Sequence, residues 1–277
     1  MYLSDYWPGD SRSSAILRDH TWPVLEPCPL EGHQYQLDPY LGCSHQCRYC
    51  YALVRNDNGW FKGVEWYDNL AQRLAAELRN LEPQTIYMGW NSDPYQPAES
   101  EIQLTREALS ILAQEHFSTS ILTKSDLVTR DIDLLTTMPE PSVGISVSFI
   151  DEEVRSFFEP GTCKTASRIV ALEKLRASGI GTYALVCPVI PFVTDTESVV
   201  RTVAPYADSV WVYGLRIRRE QDPNWQSVLA VLRTHFPTLT GQISDAIFHA
   251  DHRFWAGLRT ELARLASEMR LDLHIEF

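Results

Sequence analysis

The sequence predicts an α/β fold, a partial (β/α)6 TIM-like barrel of parallel strands with an irregular N-terminal arm and a C-terminal helical extension. Six short apolar runs, rich in β-branched or aromatic residues, have the composition of parallel strands buried on both faces. Amphipathic helical stripes lie between these runs, and such alternation is typical of a parallel sheet. The 277-residue chain is long enough to form one large domain with a substantial core.

The predicted strands follow the apolar runs in chain order. They cover residues 37–42, 85–90, 118–124, 143–148, 181–187 and 209–215, and the terminal run LDLHIEF predicts an edge strand. Helices are predicted where apolar residues recur every three or four positions, because that spacing places them on one face. These stripes cover residues 70–81, 104–112, 169–175 and 254–269, and Gly179 is a candidate C-terminal cap of the third.

Three segments are expected along the chain. Residues 1–36 form the irregular arm, residues 37–220 the barrel core, and residues 221–277 an extension that closes the barrel. In a β/α barrel the functional groups lie at the carboxyl ends of the strands, so chemistry-bearing residues are sought there. The arm and the extension are expected to determine which substrate is bound.

Composition and charge narrow the functional classes. Apolar residues make up 44% and charged residues 22%, as in ordinary globular proteins. The net charge of −12 repels phosphate backbones and disfavours general nucleic-acid binding. The basic run at Arg216, Arg218 and Arg219 is the local exception. The N-terminus lacks the pattern of a signal peptide and no run is long enough to span a membrane, so a cytoplasmic protein is expected.

Three cysteines within eight residues are the most informative feature. Cys43, Cys47 and Cys50 have the spacing C-x3-C-x2-C, directly after the first predicted strand. Thiolates are soft ligands, and a [4Fe–4S] cluster usually takes four of them. Three ligands therefore leave one iron open for another molecule. The alternative is a zinc site in which His45 or Cys28 provides the fourth ligand.

This motif, with the aromatic Tyr49 just before the last cysteine, resembles the radical S-adenosylmethionine (SAM) superfamily. The resemblance implies that SAM chelates the open iron of a [4Fe–4S] cluster. An electron from the cluster then cleaves SAM to methionine and a 5′-deoxyadenosyl radical, which abstracts hydrogen from the substrate. The resemblance also implies an electron donor, a flavodoxin or a ferredoxin.

A longer stretch, from about residue 37 to 195, is similar to the spore-photoproduct-lyase-like branch of that superfamily. The similarity rests on the order of several short motifs. These are DPYLGCSHQCRYCYA, SDPYQP with Glu99, LTKS at residues 122–125, Ser146 and Ser148, FEP with Arg168, and CPVIP from Cys187.

The resemblance implies a role for each of these positions in binding SAM. Ser92 and Asp93 would accept hydrogen bonds from the SAM ammonium, and Lys124 would pair with the SAM carboxylate. Ser146, or with less support Ser148, would complete the contacts. Tyr49 would pack near the adenine and Tyr51 on the cluster or substrate side.

Three of these motifs also have a purely structural interpretation. Asp93-Pro94 is also a turn signal, and Lys124 could be a solvated strand end. Glu159 and Arg168 are interpreted as a structural pair, either on the surface or anchoring a helix start.

One departure from the family separates this chain from authentic spore photoproduct lyase. That enzyme has a hydrogen-donating cysteine before the Ser-Asp pair, whereas this chain has Asn91. An amide cannot donate hydrogen to a carbon radical as a thiol does. Tyr95, Cys187 and Tyr213, at predicted strand ends, are the candidates to quench a radical in its place.

The leading hypothesis is therefore a radical SAM enzyme whose substrate, a small molecule, a peptide or a nucleotide, is unidentified. One alternative is a nucleic-acid modification or repair enzyme of the same superfamily, which would use the arginine run. The other is a non-enzymatic zinc or Fe–S scaffold that would bind metal through Cys43, Cys47 and Cys50 without acting on SAM.

Overall fold

The computed structural model describes residues 23–55, 63–67 and 69–277, so most of the predicted arm lies outside the described residues. The strands are β1 (Glu26–Pro27), β2 (Tyr35–Leu37), β3 (Tyr40–Leu41), β4 (Glu65–Trp66), β5 (Thr85–Met88), β6 (Ser118–Thr123), β7 (Ser142–Ser146), β8 (Gly181–Val189), β9 (Ser209–Gly214) and β10 (Leu273–Glu276). The helices are α1 (Ala52–Arg55), α2 (Leu70–Leu78), α3 (Glu99–Ile102), α4 (Leu104–Gln114), α5 (Ile132–Leu135), α6 (Glu152–Phe158), α7 (Thr165–Ala177), α8 (Thr196–Val203), α9 (Pro223–His235), α10 (Thr240–Phe248) and α11 (Arg253–Met269). Short 3-10 helices cover Asp126–Asp131 and Ala204–Tyr206.

One mostly parallel sheet organises the described residues, in the order β1-β2-β5-β6-β7-β8-β9-β10. Neighbours from β2 to β10 pair in parallel, and β1 pairs antiparallel with β2 at the edge. The predicted α/β class and its six parallel strands are confirmed in β2 and β5 to β9. The predicted terminal edge strand is confirmed as β10.

The first predicted strand is partly wrong. Residues 37–42 were expected to form one strand of the parallel sheet, but β2 ends at Leu37. Tyr40–Leu41 lies outside that sheet and pairs antiparallel with Glu65–Trp66. Pro39 explains the break, because proline has no N–H to donate to a strand ladder. The carboxylate of Asp38 also accepts hydrogen bonds from the backbone N–H groups of Asn91 and Ser92.

The outer face of the sheet is apolar and carries the core. Ile86, Ile121, Val143, Ala184 and Val212 alternate along their strands and are completely buried. The predicted helical stripes supply the facing residues, and α2, α4, α7 and α11 cover them. This burial of one face of each strand against helices is what fixes the register of the sheet.

The inner face is polar and aromatic instead. It presents Tyr87, Ser120, Ser146, Tyr183 and Trp211, which the strand register places side by side. Gly144 leaves the room that the Tyr183 ring needs, since a Cβ at Gly144 would lie 2.0 Å from that ring. The Tyr183 hydroxyl then donates a hydrogen bond to the Ile121 carbonyl at 3.0 Å.

The helix ends follow their local sequence. The Asp151 carboxylate accepts from Glu153 N and Val154 N at the start of α6, and Asp195 caps α8 through Ser198 N. Gly179, at φ +77°, ends the α7 segment as its predicted cap. Among the described helices, none has the length and apolar character needed to cross a bilayer.

Candidate functional site

The three motif cysteines lie on one loop between β3 and α1, and Gln96 holds its first half. Gln96 is completely buried. Its Oε1 accepts from Ser44 N at 2.9 Å, and its Nε2 donates to the Gly42 carbonyl at 3.0 Å. These two bonds flank Cys43, so one side chain fixes the backbone on both sides of the first thiol.

The α6–α7 connection holds the second half of the cysteine loop. Arg48 N donates to the Phe158 carbonyl at 2.8 Å, and Gly161 N donates to the His45 carbonyl at 3.0 Å. A Cβ at Gly161 would lie 2.3 Å from the Ser44 carbonyl oxygen, so only glycine allows this approach. The loop that carries the cysteines is therefore clamped between residues distant in sequence.

Of the three cysteines, Cys47 is buried, and Cys43 and Cys50 are half-buried. Burial raises the pKa of Cys43 to about 12 and raises the pKa values of Cys47 and Cys50 as well. The charge of Cys50 adds to the increase in the pKa of both Cys43 and Cys47. Metal binding would release the thiol protons and remove this desolvation cost.

This donor set fits an iron–sulfur cluster. Within the described ranges, no three His, Cys, Asp or Glu side chains surround one point as ligands of a single metal ion. A [4Fe–4S] cluster makes a different demand, because each cysteine binds a different iron. The zinc alternative needs such convergence of its ligands on one point.

Lys124 lies beside the cysteine loop at the end of β6. Its Nζ donates to Ser146 Oγ at 2.5 Å and lies 3.6 Å from Glu159 Oε1. The ammonium is also 5.6 Å from the centre of the Tyr49 ring, and the Tyr49 hydroxyl donates to Glu159. The structure thus brings together Tyr49, Lys124 and Ser146, three of the predicted site residues, and shows that Lys124 is not a solvated strand end.

The Glu159–Arg168 pair is not the surface pair that was one of its two expected forms, whereas Arg168 lies in the first turn of α7, as the helix-start alternative expected. Both side chains are buried, with Arg168 Nη2 2.7 Å from Glu159 Oε2. Burial alone would raise the pKa of Glu159, but the charges of Arg168 and Lys124 lower it to about 2. Lys124, Arg168 and Glu159 together therefore carry one net positive charge, and this charge lies beside the cysteine loop.

Asp93 does not offer the free carboxylate expected for an ammonium. Its Oδ1 accepts from Tyr95 N at 2.9 Å and Thr123 Oγ1 at 2.6 Å, and its Oδ2 accepts from Lys124 N at 2.7 Å. Burial opposes ionisation, but His45 and these hydrogen bonds lower the pKa of Asp93 to about 2. Its charge is therefore already satisfied by the protein.

The remaining predicted serines are also engaged. Ser92 Oγ donates to the Tyr40 carbonyl at 2.7 Å, and Ser148 Oγ donates to the Cys187 carbonyl at 2.6 Å. Both side chains are buried, so their hydroxyl hydrogens are committed within the protein. Ser146 differs, because its hydroxyl accepts the bond from Lys124.

Cys187 and Tyr51 lie on the same side as the thiols, with the Cys187 carbonyl 3.5 Å from Lys124 Nζ. Burial raises the pKa of Cys187 to about 11, while the charge of Lys124 opposes this rise. Tyr51 follows Cys50, and 41% of its surface is exposed. Its hydroxyl donates to the Trp90 carbonyl, and the guanidinium of Arg55 lies 5.1 Å from its ring centre.

Tyr95 belongs to a different group from these residues. Its side chain is 1% exposed, and its hydroxyl donates to Asp131 Oδ2 at 3.1 Å. Asp131 in turn pairs with Arg106 and Arg130. The structure thus holds the Tyr95 hydroxyl in a buried ionic cluster under α4 rather than among the thiols.

The basic run after β9 is exposed and partly neutralised. Arg219 Nε lies 2.9 Å from Asp222 Oδ1, and Arg216 Nη2 lies 3.8 Å from Glu276 Oε2. The charge of Arg216 also acts on the pKa of Cys187, which places it near the site.

Sequence reasoning missed the residues that hold the site together. Gln96 and Gly161 were not given any role, although Gln96 lies in the quoted SDPYQP motif. Its place in that motif was the available signal. Gly161 could not be recognised, because its contact with Ser44 spans more than a hundred residues of sequence.

Comparisons with known proteins agree with this geometry. The profile of the Radical SAM superfamily matches residues 37–203. An uncharacterised protein of Methanocaldococcus jannaschii is 30% identical over 201 residues, which cover 72% of this chain and 76% of that protein. An uncharacterised protein of Mycobacterium tuberculosis is 32% identical over 202 residues, which cover 67% of this chain and only 59% of that protein.

Solved structures share the fold at low identity. A spore photoproduct lyase mutant with bound AdoMet and dinucleoside spore photoproduct aligns with a TM-score of 0.62 and 15% identity, over 91% of this chain and 78% of the other. A further mutant of that lyase gives a TM-score of 0.64 and 14% identity, over 94% and 80%. The superfamily match implies a [4Fe–4S] cluster and SAM as cofactors. The chain therefore belongs to the radical SAM superfamily and has the fold of its spore-photoproduct-lyase-like branch.

Proposed function

We propose that this chain is an enzyme that cleaves SAM reductively to abstract hydrogen from an unidentified substrate. Cys43, Cys47 and Cys50 hold the cluster in this proposal. The bound cluster and SAM supply the electron and the 5′-deoxyadenosyl radical. The observation that carries the proposal is the Lys124 ammonium at the carboxyl end of β6, beside the cysteine loop, because a metal-binding scaffold has no use for that cation.

Lys124 binds and orients the SAM carboxylate. Glu159, which Arg168 fixes in place, holds the Lys124 ammonium. These three side chains carry one net positive charge, which favours the binding of one more anion. Ser146 Oγ fixes the direction of the ammonium. Tyr49 lies under the ammonium and forms the wall of the SAM site, next to the adenine.

Asp93 acts as a positioning residue in this proposal. It fixes Lys124 through the Lys124 backbone N–H and fixes the cysteine loop through His45. Ser92 and Ser148 hold the neighbouring strand ends in the same way. In this proposal the SAM ammonium binds at this strand edge without a direct contact to the Asp93 carboxylate.

Cys187 is our candidate hydrogen donor to the substrate radical. It ends the inner face of β8, and its raised pKa keeps the thiol protonated at neutral pH, as hydrogen donation requires. Asn91 cannot fill that role. The enzyme is therefore proposed not to be a true spore photoproduct lyase. Tyr51, exposed beside Cys50, lines the substrate side.

The partners and the segment boundaries complete the proposal. The cluster takes its electron from a flavodoxin or ferredoxin, and the substrate is a small molecule, a peptide or a nucleotide. Residues 37–220 form the catalytic core, with residues 1–36 and 221–277 as flanking segments. We place the protein in the cytoplasm, where thiols stay reduced.

Replacing Lys124 by alanine tests this function directly. The variant should bind iron and sulfide normally, yet need about 10- to 100-fold more SAM for half-maximal deoxyadenosine formation, the worth of one charge-assisted contact. Lys174→Ala, an exposed lysine on α7, is the matched control and should leave the SAM requirement unchanged. An unchanged requirement in Lys124→Ala would remove Lys124 from the SAM site, and a wild-type protein that forms no deoxyadenosine would favour the scaffold alternative.

A further inference from the structure

At the mouth of the barrel lies a carboxylate that no cation among the described residues pairs with. Asp38 follows β2 and accepts from Asn91 Nδ2 at 2.8 Å, Asn91 N at 3.1 Å and Ser92 N at 3.3 Å. All three donors are neutral. No lysine, arginine or histidine in the described part of the chain forms an ion pair with Asp38. Burial of a charge without a counter-ion is costly, so the site is incomplete as it stands.

Unpaired acceptors lie next to this carboxylate. Gln36 is two residues earlier on β2 and 4% exposed, and its Oε1 has no hydrogen-bond partner among the described residues. Its Nε2 donates to Glu26, which fixes the amide orientation. His33 Nδ1 is also buried without a partner, and burial lowers the pKa of His33, so this ring is neutral. The group lacks hydrogen-bond donors.

Aromatic rings form the walls of the same group. Tyr87 is the β5 neighbour of Gln36, and its ring centre lies 5.4 Å from that of His33. The Tyr51 hydroxyl donates to the Trp90 carbonyl, and the next residue, Asn91, donates its backbone N–H to Asp38. Tyr51 is exposed, which opens this side of the site to solvent.

We propose that Asp38, together with Gln36, His33, Tyr51 and Tyr87, binds a cationic nitrogen group of the substrate, of the ammonium or guanidinium type. The carboxylate supplies the opposite charge, the unpaired oxygen and nitrogen accept N–H donors, and the Tyr87 ring attracts a cation through its face. The Arg55 guanidinium already lies over the Tyr51 ring, so Tyr51 contributes only as a wall of the site. This inference rests on the proposed function and narrows its substrate class. Anionic substrates are excluded from this subsite.

Three probes with the same ring test the proposal. Benzamidine is cationic, benzamide neutral and benzoate anionic, and their affinities can be measured by saturation-transfer NMR on the reconstituted protein with saturating SAM. Benzamidine should bind at least about tenfold more tightly than benzamide, and benzoate should not bind. Asp38→Asn should reduce the benzamidine affinity to that of benzamide. Glu140→Gln, which removes an exposed acid elsewhere, should change nothing.

The pH dependence of the wild-type protein gives a second measurement, which does not depend on the variant folding. Burial raises the pKa of Asp38 to about 6. Benzamidine affinity should therefore be constant above pH 7 and fall as the pH drops below 6, where the carboxylate is protonated. Protonation of His33 acts in the same direction. The other groups that face Asp38 are Glu26, Cys28, Tyr51, Tyr67 and Tyr87.

Separate outcomes distinguish this inference from the proposed function. Equal binding of the three probes, or unchanged benzamidine binding in Asp38→Asn, would overturn the subsite. Displacement of SAM by benzamidine would also overturn it, because Asp38 would then belong to the cofactor site. Deoxyadenosine formation measured on the same preparations reports on the proposed function alone, and it should persist in either of the first two cases.

Discussion

Alanine in place of Cys43, Cys47 or Cys50 is expected to abolish the iron–sulfur cluster. Each thiol binds a different iron, so the loss of one leaves two irons open to solvent. After anaerobic reconstitution, each variant should lack the brown colour and carry at least about tenfold less iron and sulfide than the wild type.

The matched control for these variants is Cys163→Ala. The Cys163 thiol donates to the Lys124 carbonyl at 3.2 Å and lies outside the cysteine loop. This variant should keep the full iron content. If a Cys43, Cys47 or Cys50 variant kept the cluster, that cysteine would not be a ligand. If a Cys28→Ala variant lost its metal, the zinc alternative would be favoured.

Arg168→Met is expected to destabilise the protein by about 3–5 kcal/mol, because it leaves the Glu159 carboxylate buried without its main counter-ion. The contribution of the pair to stability is fully present above the ordinary carboxyl pKa of 4.5, and it is lost as the pH falls toward 2, the pKa of Glu159 in the folded protein. The difference in stability between the variant and the wild type should therefore shrink as the pH falls. Denaturant unfolding at several pH values measures this.

Arg176→Met is the control for this effect. Arg176 pairs with Asp208 at 2.6 Å, but both side chains are about half exposed. Removing this pair should cost less than about 1 kcal/mol. A similar loss of stability in the two variants would contradict the buried, structural role assigned to Glu159 and Arg168. Adding Glu159→Gln to Arg168→Met should recover part of the loss.

The fold was largely predictable because its signal is local. The apolar runs that became β5 to β9 and the stripe of α11 show their period within a few residues of sequence. The exception is the break after Leu37, where Pro39 stops the ladder. The proline inside this predicted strand was the signal that the strand would be interrupted.

The site was predictable in its cysteines and in Lys124, and less so in its carboxylates. Spacing alone identifies the thiols. The neighbouring sequence does not show that the Asp93 carboxylate accepts hydrogen bonds from Thr123 and Lys124, or that Glu159 lies buried between two cations. These states depend on contacts between strand ends that are 30 or more residues apart, and only the assembled sheet brings them together.

The central claim is reductive cleavage of SAM, and one anaerobic assay tests it most directly. The purified protein is reconstituted with iron and sulfide, reduced with dithionite and supplied with SAM, and 5′-deoxyadenosine is quantified. Our account predicts deoxyadenosine in the wild type and none in the Cys43, Cys47 and Cys50 variants. Stoichiometric zinc with no cluster and no deoxyadenosine would contradict it and leave the Lys124 ammonium without a function.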